Sequence, residues 1–159
     1  MTFLNRRMLG MALTIFVLDR LSKYAVVEAM ELKTIGRIDI WEPYLTFRMA
    51  WNQGVNFGMF NLGDDGWWIL IVIAAVIVGL VLYWARHATG WMIPLATGAV
   101  VGGAIGNSFD RLTYGAVADF LNMSCCGLNN PFAFNIADIA IFCGAAVLIF
   151  KGDLAHKSR

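Results

Sequence analysis

Trp67-Trp68-Ile69-Leu70-Ile71-Val72-Ile73-Ala74-Ala75-Val76-Ile77-Val78-Gly79-Leu80-Val81-Leu82-Tyr83-Trp84-Ala85 carries no charge from end to end. A helix crossing a hydrocarbon core of about 30 Å needs roughly 20 mostly apolar residues at about 1.5 Å each, and this run supplies them. The aromatic pairs at its ends, Trp67-Trp68 and Tyr83-Trp84, stand where an interfacial belt would. Composition agrees: 59% of the 159 residues are hydrophobic and only 14% are charged, with a mean hydropathy of +0.66. Soluble domains lie nearer to about 45–50% apolar and about 25% charged. Disorder, collagen-like repeats and a disulfide scaffold are excluded by the same figures. An integral membrane protein remains.

Outward from that run, Trp91 to Phe109 is also uncharged, with Pro94 in its first turn. Residues 132–150 are broken only by Asn135 and Asp138, and residues 8–27 carry Asp19, Arg20 and Lys23 in their second half. The expected fold is an all-α membrane protein with four transmembrane helices, about 8–27, 67–85, 91–109 and 132–150, in a single domain spanning 1–159. Arg6-Arg7 before an apolar stretch resembles a signal peptide, but no small-x-small cleavage site follows, so the segment reads as a retained helix. An even number of spans puts both termini on one side. Arg6, Arg7, Arg86, Lys151, Lys157 and Arg159 on that side outnumber Lys33, Arg37 and Arg48 opposite, which makes it cytoplasmic. The acids Glu28, Glu31, Asp39, Glu42, Asp64 and Asp65 fall in the first outer loop.

That loop, about 28–66, is too long for a connector. Ile38, Ile40 and Tyr44 to Trp51 alternate partially around Pro43, which predicts a small extracytoplasmic β element in the loop. Gly98, Gly102 and Gly106 form a stripe that lets membrane helices approach closely. A net charge of +1 offers no surface for nucleic acid. Cys125 and Cys126 are adjacent, and Cys143 reads as a small core residue; the spacing fits neither a zinc site nor a redox pair.

Ionisable groups at membrane depth cost at least a few kcal/mol on insertion scales, so each points to function. Asp19, Asp110, Asp119 and Asp138 all gather toward the outer side. Each also has a plainer reading. Asp19 and Lys23, spaced i, i+4, can neutralise each other. Asn107, Asp110 and Arg111 can form a polar helix end, with Arg111 snorkelling to the interface. Asn135 and Asp138 have the spacing of a helix N-cap and its partner three residues on. Asp119, set among Val117, Phe120 and Leu121, is hardest to explain that way. Asp119 and Asp138 bracket one outer loop and can converge at the membrane surface. Two close carboxylates share a proton, so one can activate water while the other donates to a carbonyl. His87 and His156 fall on the cytoplasmic side, which argues against a histidine-based or zinc site. A different class, a small four-helix proton-coupled transporter, also uses intramembrane acids. It calls for an acid near the midplane and an internal repeat, and the sequence offers no repeat.

Five segments occur in order: Asp19-Arg20-Leu21-Ser22-Lys23, Asn52-Gln53-Gly54-Val55-Asn56-Phe57, Gly102 to Arg111, Gly115-Ala116-Val117-Ala118-Asp119-Phe120, and Phe134-Asn135-Ile136-Ala137-Asp138. Together they resemble lipoprotein signal peptidase, the bacterial signal peptidase II family, over residues 8 to about 150. The resemblance implies an inner-membrane aspartic endopeptidase without metal or cofactor. Its substrates are diacylglyceryl-modified prolipoproteins, cut on the amino side of the lipobox cysteine at the outer, periplasmic face. It implies Asp119 and Asp138 as the catalytic pair. Asn52, Gly54, Asn107, Asp110, Arg111 and Asn135 fall at substrate-binding positions, and Asp19 and Lys23 at supporting ones. It further implies inhibition by globomycin-type peptides in an enzyme set among membrane lipids; because the site needs only one chain, a monomer is expected. Arg20 departs from the glutamine common there, and Asn56 from an alanine.

Overall fold

The structure is a computed structural model and describes residues 3–54, 66–86, 90–125, 127 and 130–156. Asn56, Asp64, Asp65, His87, Cys126, Lys157 and Arg159 lie outside the described residues. Helix α1 runs Phe3–Lys23 and passes into a π-helical segment, Tyr24–Ala29, before the short α2, Leu32–Ile35. Strands β1 (Arg37–Trp41) and β2 (Leu45–Asn52) follow, then α3 (Trp67–Ala85), α4 (Met92–Tyr114), β3 (Val117–Met123) and α5 (Ile136–His156).

Helix α4 is the hub and packs on α1, α3 and α5. The glycine stripe makes this possible. Gly98 and Gly102 lie against the backbone of Met8 and Ala12 on α1. Gly106 faces the Asp19 carboxylate, where an added Cβ would come within 2.8 Å of Oδ2. Gly103 points the other way, and its Cβ would stand 2.6 Å from the Ala137 carbonyl of α5. Helix α3 makes little contact beyond α4, and almost none of its apolar length is fully buried. Among the described residues, α3 and α4 are long and apolar enough to cross a membrane. The molecule's outward face is apolar elsewhere too: Phe142 and Phe150 on α5 are 78% and 76% exposed. Exposed apolar area on this scale needs a covering phase, and a bilayer provides one.

Helix α4 continues five residues past the end expected at Phe109 and stops at Tyr114. The stop belongs to Gly115, whose φ of +72° gives the left-handed turn that lets its N–H bond the Arg111 carbonyl at 2.9 Å. Asn107, Asp110 and Arg111 therefore lie on regular helix. Helix α5 starts at Ile136, later than the expected 132, because Phe134 pairs with Leu121 in an extended bridge. Cys143 is exposed on α5, which corrects its reading as a core residue: its side of the helix faces outward with Phe142.

The β element predicted in the first outer loop is present, and it is larger than expected. β1, β2 and β3 form one antiparallel sheet in that order, so the second outer loop contributes the third strand. β3 shows no polar–apolar alternation, since Val117, Ala118, Asp119 and Phe120 are all buried. Its apolar side joins Val26, Val27 and Leu32 in a core that seats the sheet on the π-helical segment and α2, with Phe47 edge-on to Phe120. A second core of Ala85, Ile93, Ala96, Val100 and Leu148 holds α3, α4 and α5 together at their other ends.

Candidate active site

Sheet register brings the first functional side chains together. Ala50 stands opposite Asp119, and Asn52 opposite Val117, so Asn52 is a diagonal neighbour of Asp119 on one face. The bulge between Phe47 and Ala50 sets that facing. Asn52 Nδ2 donates to Asp119 Oδ2 at 3.0 Å, while its Oδ1 accepts the Gly54 N–H at 2.9 Å, which fixes the amide's orientation. Gly54 turns at a φ of +82° and lies against Leu70 of α3, a position suited to a residue without Cβ.

The start of α5 supplies the second carboxylate. Asn135 Oδ1 accepts the Asp138 N–H at 2.9 Å, and Asp138 Oδ2 accepts the Asn135 N–H at 3.3 Å. This is a reciprocal capping box, as the spacing of the two residues predicts. The cap also does more. Asn135, fully buried, sends its Nδ2 to Asp119 Oδ1 at 2.6 Å and to Asn107 Oδ1 at 3.1 Å. Asn107 Nδ2 in turn donates to Asp138 Oδ1 at 2.8 Å. Three asparagines from β2, α4 and the α5 cap thus tether two carboxylates from β3 and α5. Asp119 is 2% exposed, whereas Asp138 is half-buried and Asn52 exposed, so the network opens on the Asn52 and Asp138 side. Burial, reinforced by the nearby charge of Asp138, pushes the Asp119 carboxyl up to about 6, against the hydrogen bonds from Asn52 and Asn135.

Behind this network lies a buried ion cluster. Lys23 Nζ bonds Asp19 Oδ2 at 3.0 Å and Asp110 Oδ2 at 2.5 Å. Arg20 Nη2 approaches Asp19 Oδ2 and Asp110 Oδ1 at 2.6 Å each. The structure thus bears out the Asp19–Lys23 pairing expected from their spacing. Asp110 is fully buried among these cations and the Ala118 N–H, facing away from any open surface. Arg111 forms no ion pair with Asp110; its Nη1 donates to the Asn107 carbonyl at 3.3 Å, and its buried Nε has no acceptor among the described residues. Arg20 was not singled out as a site residue from the sequence. Its signal was there, as a cation at membrane depth beside an acid.

An apolar groove of about 430 Å³ runs between α3 and α4, lined by Ile71, Ala75, Val78, Ala104, Ile105 and Leu112 among others. With the acid pair at one end of the helices and such grooves along them, the arrangement suits hydrolysis of a bond held at a membrane surface.

A family model described as signal peptidase (SPase) II matches residues 11–152. The lipoprotein signal peptidase of Rhodopseudomonas palustris is 36% identical over 138 residues, covering 84% of each chain. That of Alteromonas mediterranea is 38% identical over 147 residues, covering 90% of this chain and 78% of its own. That of Aeromonas hydrophila is 37% identical over 158 residues, covering 96% and 92%. Two solved bacterial membrane enzymes share the fold. One has a TM-score of 0.76 at 23% identity over 90% of both chains, the other 0.74 at 22% over 94% and 90%.

Proposed function

The chain belongs to the signal peptidase II family, and from that premise we propose that Asp119 and Asp138 are the catalytic pair of an aspartic endopeptidase. As a member of the family it is a membrane protease that removes signal peptides from prolipoproteins. Nothing in the family assignment favours the transporter alternative.

The observation that carries the catalytic reading is the asparagine-tethered pair, with one carboxyl raised to about 6. Two close carboxylates can share a single proton, and here Asp119 keeps that proton up to about pH 6. The ionised carboxylate takes a proton from water as the oxygen attacks the scissile carbonyl carbon. The protonated partner gives its proton to the carbonyl oxygen, producing a neutral gem-diol. In collapse, a gem-diol hydroxyl returns a proton to one carboxylate while the other carboxyl protonates the leaving nitrogen. The C–N bond breaks into the signal peptide's carboxylic acid and the free α-amine of the cysteine, and the pair again holds one proton.

The four-span topology fits this chemistry. α1 and α5, 21 residues each, are long enough to cross, and four crossings put the pair and the sheet at the outer face with both termini cytoplasmic. Extended substrate backbone entering a membrane needs hydrogen-bond partners; Asn52, exposed beside the pair, can supply one directly, while Asn107 and Asn135 hold the carboxylates from behind. Apolar grooves receive the diacylglyceryl chains. One chain holds the whole pair, so a monomer suffices, and a globomycin-type peptide competes for the same opening.

A gel-shift cleavage assay tests this reading. Purified protein in detergent is given a diacylglyceryl-modified prolipoprotein, its unmodified form, and each again with chelator. Cleavage of the lipidated form alone, unchanged by chelator, is the expected result. Cleavage that chelator abolishes would overturn the aspartic mechanism.

A further inference from the structure

The two buried acids of the ion cluster each hold the backbone beside one carboxylate of the pair. Asp19 Oδ1 accepts the N–H of Ala137 at 3.2 Å, the residue immediately before Asp138. Asp110 Oδ2 accepts the N–H of Ala118 at 3.2 Å, the residue immediately before Asp119. The two acids are joined to each other by Lys23 and Arg20. A continuous chain of contacts therefore runs from Asp138 through Ala137, Asp19, the two cations, Asp110 and Ala118 to Asp119. It connects α5 to β3 from behind, as the asparagines do from the front.

Arg20 has a distinct place in this chain. Lys23 reaches Oδ2 of both acids, but Asp110 Oδ1 has no hydrogen bond among the described residues and only Arg20 Nη2 beside it. The same guanidinium donates to the Gly106 carbonyl at 3.3 Å. Its carbon lies 5.0 Å and 5.9 Å from the ring centres of Phe109 and Phe16, which stand edge-on to each other. Aromatic faces of this kind hold a guanidinium in place. Its contacts run through Nη2, which reaches both acids and the Gly106 carbonyl at once while the rings fix the guanidinium plane, a hold that a flexible ammonium lacks.

We infer that Arg20 is a positioning residue: it fixes Asp110 against Asp19 and so sets the spacing of Asp119 and Asp138. This rests on the catalytic pair proposed above. Without Arg20, Asp110 is held through Oδ2 alone, by Lys23 and the Ala118 N–H; its carboxylate can then turn, the Ala118 N–H is released, and β3 shifts relative to α5. A misplacement of about 1 Å between reacting groups can cost about 100-fold in rate. The loss belongs to kcat, since Arg20 contacts Asp19, Asp110, Gly106, Phe16 and Phe109 rather than Asp119, Asp138 or Asn52.

The test compares wild type, Arg20→Met, Arg20→Lys and Asp119→Asn on the lipidated prolipoprotein, with kcat and KM separated and rates normalised to folded protein. Hydrogen exchange at the Ala118 and Ala137 amides is measured alongside. Arg20→Met is expected to lose roughly 10- to 100-fold in kcat at unchanged KM, with faster exchange at both amides and unaltered exchange along α3. Arg20→Lys, which restores the charge without the ring-held guanidinium plane, recovers part of the loss. Wild-type kcat in Arg20→Met, a loss confined to KM, or lower kcat with both amides still protected would each overturn the inference. Should Arg20→Met fail to fold, Arg20→Lys carries the same two readouts: intermediate kcat and faster exchange support it, wild-type values overturn it. An active Asp119→Asn would bring down the catalytic pair itself, whereas an inactive Asp119→Asn beside a fully active Arg20→Met removes only the role of Arg20.

Discussion

At the scale of single residues, the site is organised by amides that donate to carboxylates. Asn52 lowers the Asp119 carboxyl by stabilising its ionised form, while burial and Asp138 raise it. Removing that donor must raise it further. The activity of a pair that needs its shared proton falls as pH rises past about 6, and in Asn52→Ala this alkaline limb moves to higher pH. A pH profile of kcat/KM checks the sign, and a downward shift would contradict the assignment. Asn135 has three tasks at once: it caps α5 and donates to both Asp119 and Asn107. Asn135→Ala is expected to lose about 1 kcal/mol from the cap alone, and activity with it. Thermal unfolding beside a cleavage assay separates the two effects. The capping box was legible in the spacing of Asn135 and Asp138, and the Asp19–Lys23 pair in theirs. The cross-links from Asn52 and Asn107 were not, because they depend on register between distant segments.

At the scale of elements, α4 matters most, because its glycines and its acid meet α1 and α5 on opposite sides. Lys23 is 5% exposed and serves two carboxylates. Removing one partner of a buried ion pair costs about 3–5 kcal/mol, so Lys23→Ala is expected to lose that order of stability in detergent unfolding. Gly103→Val is expected to force α5 from α4, since even a Cβ meets the Ala137 carbonyl at 2.6 Å. A variant of wild-type stability would contradict the close approach. The long uncharged runs at α3 and α4 and the two strands β1 and β2 were readable from period and composition. β3 was hidden: Val117 to Phe120 are buried on both faces, so no alternation marks it. Helix ends were misjudged where apolar pattern and cap disagree. Gly115, not the last apolar residue, ends α4.

At the scale of the whole molecule, an apolar belt surrounds the helices, and the sheet at one end mixes the charged Arg37 and Asp39 with the exposed aromatics Trp41, Tyr44 and Trp51. The proposed topology places Arg37 outside and Arg86 inside. In a cysteine-free background, a membrane-impermeant thiol reagent is expected to label Arg37→Cys in intact spheroplasts and Arg86→Cys only after lysis. The opposite pattern would invert the protein. What the sequence carried at this scale was the membrane setting and the family; how β3 and α5 are held in one spacing came only from the folded chain. The central claim is that Asp119 and Asp138 together cleave the substrate, and the most direct measurement is turnover of lipidated prolipoprotein by purified Asp119→Asn and Asp138→Asn. Each variant is expected to stay folded and to lose roughly 10²- to 10⁴-fold in kcat, as removal of a general acid or base does. Cleavage at the wild-type rate by either folded variant would contradict the account.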